Sequence, residues 1–349
     1  MEIVPGLHRL RTPMTSKALP WIMPYAFEGP EGVSLFDSGY GTPEASEWLT
    51  RQLHGIGYQP SDIRRLIVSH GHPDHIGMAG WIKEQSPECE LVMLAREAEW
   101  FHDMRHGPSE FMDRTGEWLV HHGVDPRETK EAFRRASSEH SSGDDNQDSG
   151  DVSTETERRS WSMPAVAADI RLEDGDVLEF DGWKLEAVWT PGHTPGHLCM
   201  FEPQHRLMLT GDHVLSRITP NVSLGDQDER AGRRPLAEFL DSLKKVAAYD
   251  TKLALPAHED LIEDLPARCA AIARHHDDRL DEVYEGIDDD GSTAAAVSAE
   301  VTWNRPYETF NVFKKRSALG ETLSHLQLLE EHGRVQRAED DGVVRWQRL

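Results

Sequence analysis

Apolar and polar residues alternate in short blocks along the first ninety-five positions, which indicates strands that alternate with helices. The apolar run at 32–36 predicts a strand. Segment 42–57 has a threonine cap, a proline at the first helical position and an acidic first turn, so it predicts a helix. The run at 63–68 predicts the next strand, which continues into a loop rich in histidine. A second helix is predicted to begin near Met78, and "CELVML" at 89–94 predicts a third strand.

The middle of the chain changes character twice. Residues 96–136 have a helical pattern, aromatic up to 124, and predict an insertion that either covers a pocket or packs on the domain. Residues 137–160 contain one large apolar residue, Val152, and cannot bury enough surface to offset their ordering entropy, so they predict a disordered acidic loop. Strand patterns resume over 168–190, with Asp-Gly turns at 174–175 and 181–182.

Two further strands are predicted at 206–215 and 252–260, and the pattern after residue 261 is mainly helical. A long helix is predicted over 268–287. A later one places four leucines on one face and ends at a glycine; these residues are Leu319, Leu323, Leu326, Leu329 and Gly333. A hairpin should turn at Asp341-Gly342. The order predicts a first domain over 1–261 and a small winged-helix-like domain over 262–349.

Composition narrows the class of protein. A chain of 349 residues can bury the core of one large domain and a smaller one. The sequence contains no run of eighteen apolar residues, so it predicts no membrane span. The first residues lack the pattern of a secretion signal. Three widely spaced cysteines, Cys89, Cys199 and Cys269, predict reduced, buried side chains in a cytoplasmic protein.

The formal net charge is −25. An excess of this size repels polyanions and disfavours general binding to nucleic acid, although RNA is not excluded. Adaptation to a high-salt cytoplasm is an alternative origin of the acidity, because salt screens the self-repulsion of the surface.

Four potential metal ligands lie within six residues of the segment "HGHPDH": His70, His72, Asp74 and His75. Imidazole and carboxylate are the ligands that borderline divalent metals prefer. Residues two apart in an extended loop point the same way, so His70 and His72 can bind one ion together. Asp74 and His75, on the following turn, would face a second ion. The alternative is a histidine-rich surface loop.

Three later residues extend this set, because His193, Asp212 and His258 each follow a predicted strand. Functional residues of α/β folds gather where strands end. Together with the first loop, these side chains complete two coordination spheres.

The seven residues resemble the metallo-β-lactamase superfamily, in its glyoxalase II-like branch. The resemblance implies an α+β fold, an αββα four-layer sandwich with its site at one edge of the two sheets. It implies a first ion held by His70, His72 and His193, a second held by Asp74, His75 and His258, and Asp212 as the bridge between them. Asp37 matches the family's carboxylate that orients a ligand histidine. His197 and His213 flank ligands, and we expect them to be hydrogen-bonded supports.

A site of this kind implies hydrolysis. Two ions about 3.5–4 Å apart share a water, lower its pKa and polarise the bond under attack. Asp74 would position the bridging hydroxide, and Ser38, Ser69 and Cys199 would be structural. The nitrogen and oxygen ligands suit zinc, with iron or manganese as alternatives. Antibiotic-hydrolysing relatives typically have cysteine where Asp212 stands, so the chain is unlike a true β-lactamase.

Substrate contacts are predicted in the loop 216–235. Its candidates are Arg217, Asn221, Arg233 and Arg234, because arginine can hold an anionic group through forked hydrogen bonds. The alternative is a solvated loop with ordinary surface ion pairs. The helices at 121–122 and 275–276 each carry two histidines, which are expected at the surface.

The function predicted is hydrolysis of a small-molecule ester or thioester, similar to that of hydroxyacylglutathione hydrolases. A lactonase would share the metal site. An endoribonuclease acting on single-stranded RNA is a further alternative, because the C-terminal region resembles the winged-helix tail of β-lactamase-like proteins that include a mitochondrial endoribonuclease. Against it, residues 262–349 carry 18 acidic and 11 basic side chains. A scaffold without catalysis would leave two complete ligand sets without a purpose. The sequence leaves the oligomeric state open.

Overall fold

The structure is a computed structural model that describes residues 1–14, 19–106, 108–131 and 164–349. The acidic loop expected at 137–160 and the end of the predicted insertion lie outside the described residues. The chain forms two compact units. The first takes in the described parts of Met1–Arg105, Ser149–Pro220 and Asp241–Ala270, and the second those of His106–Asp148, Asn221–Leu240 and Ala271–Leu349. The units alternate along the chain, and the domain boundary after residue 261 stays a prediction.

The strands of the described residues are β1 (Glu2–Val4), β2 (Leu7–Arg9), β3 (Thr12–Pro13), β4 (Trp21–Ile22), β5 (Tyr25–Gly29), β6 (Gly32–Phe36), β7 (Ile63–Ile67), β8 (Glu90–Leu94), β9 (Ile170–Leu172), β10 (Val177–Phe180), β11 (Trp183–Trp189), β12 (Leu198–Glu202), β13 (Leu207–Gly211), β14 (Leu253–Pro256), β15 (Ser292–Thr293), β16 (Val335–Asp340) and β17 (Val343–Arg348). The helices are α1 (Pro43–Gly55), α2 (Pro73–Ile76), α3 (Ala79–Gln85), α4 (Ala95–His106), α5 (Pro108–His121), α6 (Asp226–Arg230), α7 (Pro235–Ala247), α8 (Leu265–Glu285), α9 (Ala294–Glu300) and α10 (Val312–Glu331). Short 3₁₀ turns occupy Pro60–Asp62 and Tyr307–Thr309.

The first unit is built on two sheets. One has the order β1-β2-β5-β6-β7-β8-β9, and the other runs from β10 to β14 in sequence. In the first sheet β6, β7, β8 and β9 are mutually parallel, whereas the pairs before them are antiparallel. In the second sheet β13 and β14 are parallel. Asp181 and Gly182 both have positive φ, 49° and 89°, and form the tight turn predicted between β10 and β11.

The main core lies between the two sheets. Phe27, Phe36 and Val92 of the first sheet are buried in one cluster with Leu185 and Met200 of the second. Burial of this apolar surface is the dominant stabilising contribution to such a sandwich. The predicted α+β sandwich of two sheets is therefore confirmed.

A second core lies on the other face of the first sheet. Leu49 of α1 and Ile82 of α3 pack there against Leu35 and Leu66. The predicted cap of α1 is confirmed, because the Thr42 hydroxyl accepts a hydrogen bond of 3.2 Å from the backbone N–H at the start of the helix. The second predicted helix corresponds to α3. The short helix α2, within the histidine loop, was not predicted.

The second unit contains the C-terminal elements. Its small sheet has the order β15-β17-β16, and the four leucines predicted on one face of α10 are buried. Asp341 and Gly342 have φ values of 47° and 77° and form the predicted hairpin turn. The winged-helix description of this region stays a prediction.

Two histidines expected at the surface are buried instead. His122 and His276 are each 1 % exposed: His122 directly follows the end of α5, and His276 lies on the inward-packed face of α8. His122 contacts the Glu229 carboxylate at 3.0 Å, and His276 lies 3.1 Å from a ring nitrogen of His325. Among the described helices, none carries an apolar stretch of the length that crossing a membrane requires.

Candidate metal centre

The predicted ligands meet at one edge of the two sheets. Among the strands that end there, five are each followed directly or within four residues by a predicted side chain of the site: β6 by Asp37, β7 by His70, β11 by His193, β13 by Asp212 and β14 by His258. Parallel strands bring their carboxyl ends to the same edge, so residues far apart in sequence converge.

Three imidazoles form the first group. Nε2 of His70 lies 2.8 Å from Nδ1 of His72, and Nε2 of His193 lies 3.1 Å from the same Nδ1. All three atoms fall within 4.8 Å of one another. Three lone-pair donors directed at a common point are the arrangement that one divalent cation accepts.

Carboxylates join imidazoles in the second group. Nε2 of His258 lies 3.4 Å from Asp74 Oδ2 and 3.3 Å from Asp212 Oδ1. Nε2 of His75 lies 3.6 Å from Asp74 Oδ2 and 3.5 Å from Asp212 Oδ1. The other oxygen of Asp212 is 3.7 Å from Nε2 of His193, in the first group. Asp212 therefore lies between the two groups, where a bridging carboxylate would be needed.

Hydrogen bonds to the remote ring nitrogens set the direction of these imidazoles. Nδ1 of His75 donates to Asp37 Oδ2 at 2.8 Å, and Nδ1 of His258 donates to the Trp21 carbonyl at 3.0 Å. Nδ1 of His70 lies 3.0 Å from the Ser69 hydroxyl, which itself donates to Asp37 at 2.9 Å. A proton held on Nδ1 leaves the Nε2 lone pair for the site.

The predicted supporting histidines also lie beside the site. Nε2 of His197 accepts a hydrogen bond of 3.1 Å from the backbone N–H of Asp212, and its Nδ1 lies 2.8 Å from the Thr190 hydroxyl. His197 thus holds the backbone of Asp212 in place. His213 is buried with its ring 5.9 Å from that of His197, and burial lowers its pKa to about 3. A supporting role for His213 stays a prediction.

The electrostatics favour neutral imidazoles in the first group, whereas in the second group the neighbouring carboxylates outweigh burial and raise the pKa of His75 and His258. Burial lowers the pKa of His72 to about 3 and that of His70 well below its ordinary value, where the neighbouring His75 acts in the same direction. Burial opposes ionisation of Asp212, but His258 and His75 outweigh it and hold the Asp212 pKa well below its ordinary value. Neutral His70 and His72 and an ionised Asp212 are in the protonation states in which such side chains bind metal, whereas His75 and His258 would release a proton when an ion binds.

Two buried atoms test whether the residues fit a cation. Nε2 of His75 and Oδ1 of Asp212 are inaccessible to solvent and have no hydrogen-bond partner among the described residues. A native interior seldom leaves such atoms unsatisfied, and a bound ion is one of the few ways to satisfy them. The residues therefore fit a divalent metal.

Each of the four predicted substrate contacts has a partner near it in its own unit. Arg217, in the first unit, is exposed and pairs with Asp260. The other three belong to the second unit and also have partners: Asn221 with Ser223, Arg233 with Asp228 and Glu238, and Arg234 with Glu331. Arg217 and Arg234 make ion pairs at the surface, whereas the pairs of Arg233 are partly buried, and a substrate-binding role for the four residues stays a prediction.

Two hydroxyls support the site: sequence reasoning named Ser69 as structural without assigning its contacts, and it did not identify Thr190. Ser69 connects Asp37 with the His70 ring, and Thr190 holds His197. The signal was position alone, because each hydroxyl lies close after a strand and next to a ligand loop. Small hydroxyl residues are too common at such positions to be selected from one sequence.

Two models of protein families match this chain. The model of the metallo-β-lactamase superfamily matches residues 24–258, which include every predicted ligand. The chain belongs to the metallo-β-lactamase superfamily. A second model, described as the C-terminal domain of metallo-β-lactamase-like proteins, matches residues 280–349. The predicted fold of the first unit is that of the superfamily, whereas the glyoxalase II-like branch stays a prediction.

Individual relatives extend the match to the whole chain. The chain is 25% identical to the probable metallo-hydrolase YqjP of Bacillus subtilis, over 92% of this chain and 91% of that protein. A metallo-β-lactamase family protein of Thermus thermophilus, TTHA1429, superposes with a TM-score of 0.79 and 26% identity over 100% of both chains. Fungal relatives match over about a third of their length. One is the atrochrysone carboxyl ACP thioesterase of Emericella nidulans, 31% identical over 28% of this chain and 29% of that protein.

Proposed function

We propose that this member of the metallo-β-lactamase superfamily is a hydrolase with two divalent metal ions that cleaves a thioester or ester bond. The observation that carries the proposal is the position of Asp212 between a group of three histidines and the group formed by Asp74, His75 and His258. We propose zinc for both positions, with iron or manganese as alternatives that suit the same ligands. When bound, such a pair of ions polarises the carbonyl under attack and lowers the pKa of water.

The exposure of the ligands supports access of a small substrate. The side chains of Asp74, Asp212 and His193 remain 14, 13 and 9 % exposed, whereas His75 is fully buried. The site is thus open to solvent at Asp74, Asp212 and His193 and closed at His75. A substrate carbonyl would enter at these three exposed side chains, while the buried His75 is shielded from water.

An aromatic side chain borders this opening. The ring of Trp100 lies 6.2 Å from that of His72, with the two rings edge to face, and Trp100 is half-buried. An indole at this position offers an apolar wall for the acyl part of a substrate. This contact favours an acyl thioester or ester over a wholly polar substrate.

The relatives support the same class of reaction. YqjP is named a probable metallo-hydrolase, and the Emericella nidulans relative is named a thioesterase. RNA remains the alternative substrate. The net charge of −25 disfavours it, because a polyanion gains little from an acidic surface. The order of α9, α10 and the β16–β17 hairpin supports a winged-helix-like C-terminal region as a further proposal, with no role in catalysis assigned to it.

A substrate panel with controlled metal content tests the proposal. The purified protein would be treated with chelator, and its metal content measured before and after zinc, iron or manganese is restored. Each form would be tested with an acyl thioester, the matching oxygen ester, a lactone and a structured single-stranded RNA. We expect metal-dependent cleavage of the thioester or ester. Cleavage of RNA with the esters untouched, or activity that survives complete metal removal, would overturn it.

A further inference from the structure

A buried carboxylate outside the ligand set joins two of the ligand loops. Glu97, in the first turn of α4, is fully buried. Its Oε1 accepts a hydrogen bond of 2.7 Å from the backbone N–H of Gly71, which lies between His70 and His72. Its Oε2 accepts bonds of 2.9 Å from the N–H of Gly196 and 2.8 Å from the hydroxyl of Thr194.

The partners of Glu97 are adjacent to ligands. Gly71 separates the first two histidines, Thr194 directly follows His193, and Gly196 directly precedes His197, which holds the backbone of Asp212. A single side chain therefore connects the loop after β7 with the loop after β11. All three imidazoles of the first group belong to these two loops.

The packing around Glu97 leaves little room for adjustment. A Cβ atom added to Gly196 would lie 2.2 Å from the backbone N of Glu97 and 2.6 Å from its Cα. One added to Gly71 would lie 3.0 Å from the Phe101 ring and 3.4 Å from Oε1 of Glu97. The start of α4 is thus in direct contact with both loops, and glycine is required at Gly196 for this approach.

We propose that Glu97 is a positioning residue of the metal centre, whose two oxygens set the separation between the His70–His72 loop and the His193 loop. The inference rests on the metal centre proposed above. The chemical reason is the choice of acceptor: only a carboxylate offers two acceptor oxygens to two backbone N–H groups at once. A glutamine keeps the shape, but its amide nitrogen cannot accept from an N–H, so one loop loses its bond.

The chain offers a matched control. Glu202 is also buried in the first unit, and its carboxylate also accepts from backbone N–H groups, those of Gln204 at 3.0 Å and His205 at 2.7 Å. All of these bonds lie within the turn between β12 and β13. Glu202→Gln therefore removes a comparable acceptor without touching a ligand loop, and it should destabilise the fold to a similar degree.

The test is metal binding rather than turnover. Zn²⁺ and Co²⁺ affinities would be measured for the unaltered protein, Glu97→Gln and Glu202→Gln, with the visible spectrum of the Co²⁺ form and the unfolding temperature of the metal-free form. Residues that hold ligands in place typically contribute 10–100-fold to metal affinity, so we expect a loss of about that size and an altered Co²⁺ spectrum in Glu97→Gln. Glu202→Gln should bind within about twofold of the unaltered protein, because distant sites act independently.

A second variant keeps the inference testable if Glu97→Gln does not fold. Thr194→Val removes only the hydroxyl bond to Glu97, and should weaken metal binding at least about threefold. Unchanged Co²⁺ affinity and spectrum in Thr194→Val and in any folded Glu97→Gln would overturn the role of Glu97. If the unaltered protein binds no divalent ion, the proposed function fails and this inference fails with it. If the unaltered protein and Glu97→Gln bind Zn²⁺ and Co²⁺ equally well, the role of Glu97 is refuted but the proposed function is not.

Discussion

Replacement of Asp37 by asparagine tests how the hydrogen-bond network directs the ligands. Asp37 is fully buried and adopts a positive φ of 60°, a conformation that asparagine also tolerates. Its carboxylate accepts three hydrogen bonds: 2.8 Å from the Ser69 N–H, 2.9 Å from the Ser69 hydroxyl and 2.8 Å from His75 Nδ1. Asparagine can keep the first bond through its carbonyl oxygen. Its amide group then faces His75 as a donor, which favours the tautomer whose proton points into the site.

The size of the effect follows from the bonds lost. A hydrogen bond to a buried charged group contributes about 1.5–3 kcal/mol, and the variant loses the one to His75. A wrong tautomer of His75 removes one lone pair from the second metal position. Loss of a residue that orients a ligand typically weakens metal binding 10–100-fold, or about 1.4–2.7 kcal/mol. The two estimates agree, so we expect Asp37→Asn to lose between one and two orders of magnitude in affinity at that position.

Competition with a chromophoric chelator would measure the zinc affinity of the unaltered protein and the variant, and metal analysis would count the bound ions. The matched control is Asp176→Asn, in an exposed turn of the same unit, where the carboxylate accepts a hydrogen bond from the Glu173 N–H. The control should bind zinc as the unaltered protein does. Wild-type affinity in Asp37→Asn, with the fold intact, would refute the claim that Asp37 sets the tautomer of His75.

Three further predictions concern turnover, pH and salt. Asp74→Ala should lower thioester turnover at least about 100-fold while circular dichroism stays unchanged, and near-normal turnover would contradict the role of Asp74. Burial holds the pKa of His276 at about 2 and that of His325 at about 4, both below 6.5, so the unfolded chain takes up protons that the folded chain does not. Stability should be full above pH 6.5 and decline below it, by about 2 kcal/mol for each histidine at pH 5. Chemical unfolding would measure the free energy of unfolding at pH 7 and at pH 5. Between these two pH values it should fall by about 2 kcal/mol less in His276→Leu than in the unaltered protein, and equal falls would refute the prediction. Because salt screens the self-repulsion of a net charge of −25, raising KCl from about 0.1 to about 1 M should raise the thermal unfolding midpoint by several degrees. An unchanged midpoint would contradict the interpretation of the acidity as an adaptation to high salt.

Local features of the fold were accessible from the sequence because their causes are local. Thr42 and Pro43 define the start of α1, and the pairs Asp181-Gly182 and Asp341-Gly342 form tight turns because their backbones adopt positive φ. The predicted helix near Met78 exists as α3, but the short α2 interrupts the loop before it. Patterns of a few residues predict turns, caps and buried faces well. They predict the boundaries between adjacent short elements least well.

Burial of polar residues was the least predictable feature. His122 directly follows α5 and His276 lies on α8, and the apolar pattern of these helices did not reveal that the partners Glu229 and His325 would meet them in the interior. The same holds for Arg233, whose ion pairs with two carboxylates could not be distinguished in the sequence from a free guanidinium. A polar side chain is buried when a partner elsewhere in the chain satisfies it, and a single sequence does not identify the partner.

By itself, the sequence determined which side chains can bind metal and that they follow strands: His70, His72, His193, Asp212 and His258. Only the tertiary structure decided that these donors meet within a few ångströms, that Asp212 lies between the two groups, and that Glu97 connects two of the loops. The physical reason is one of range. Ligand type and strand pattern depend on neighbouring residues, whereas the direction of each lone pair depends on hydrogen bonds between segments that only the pairing and packing of the sheets bring together.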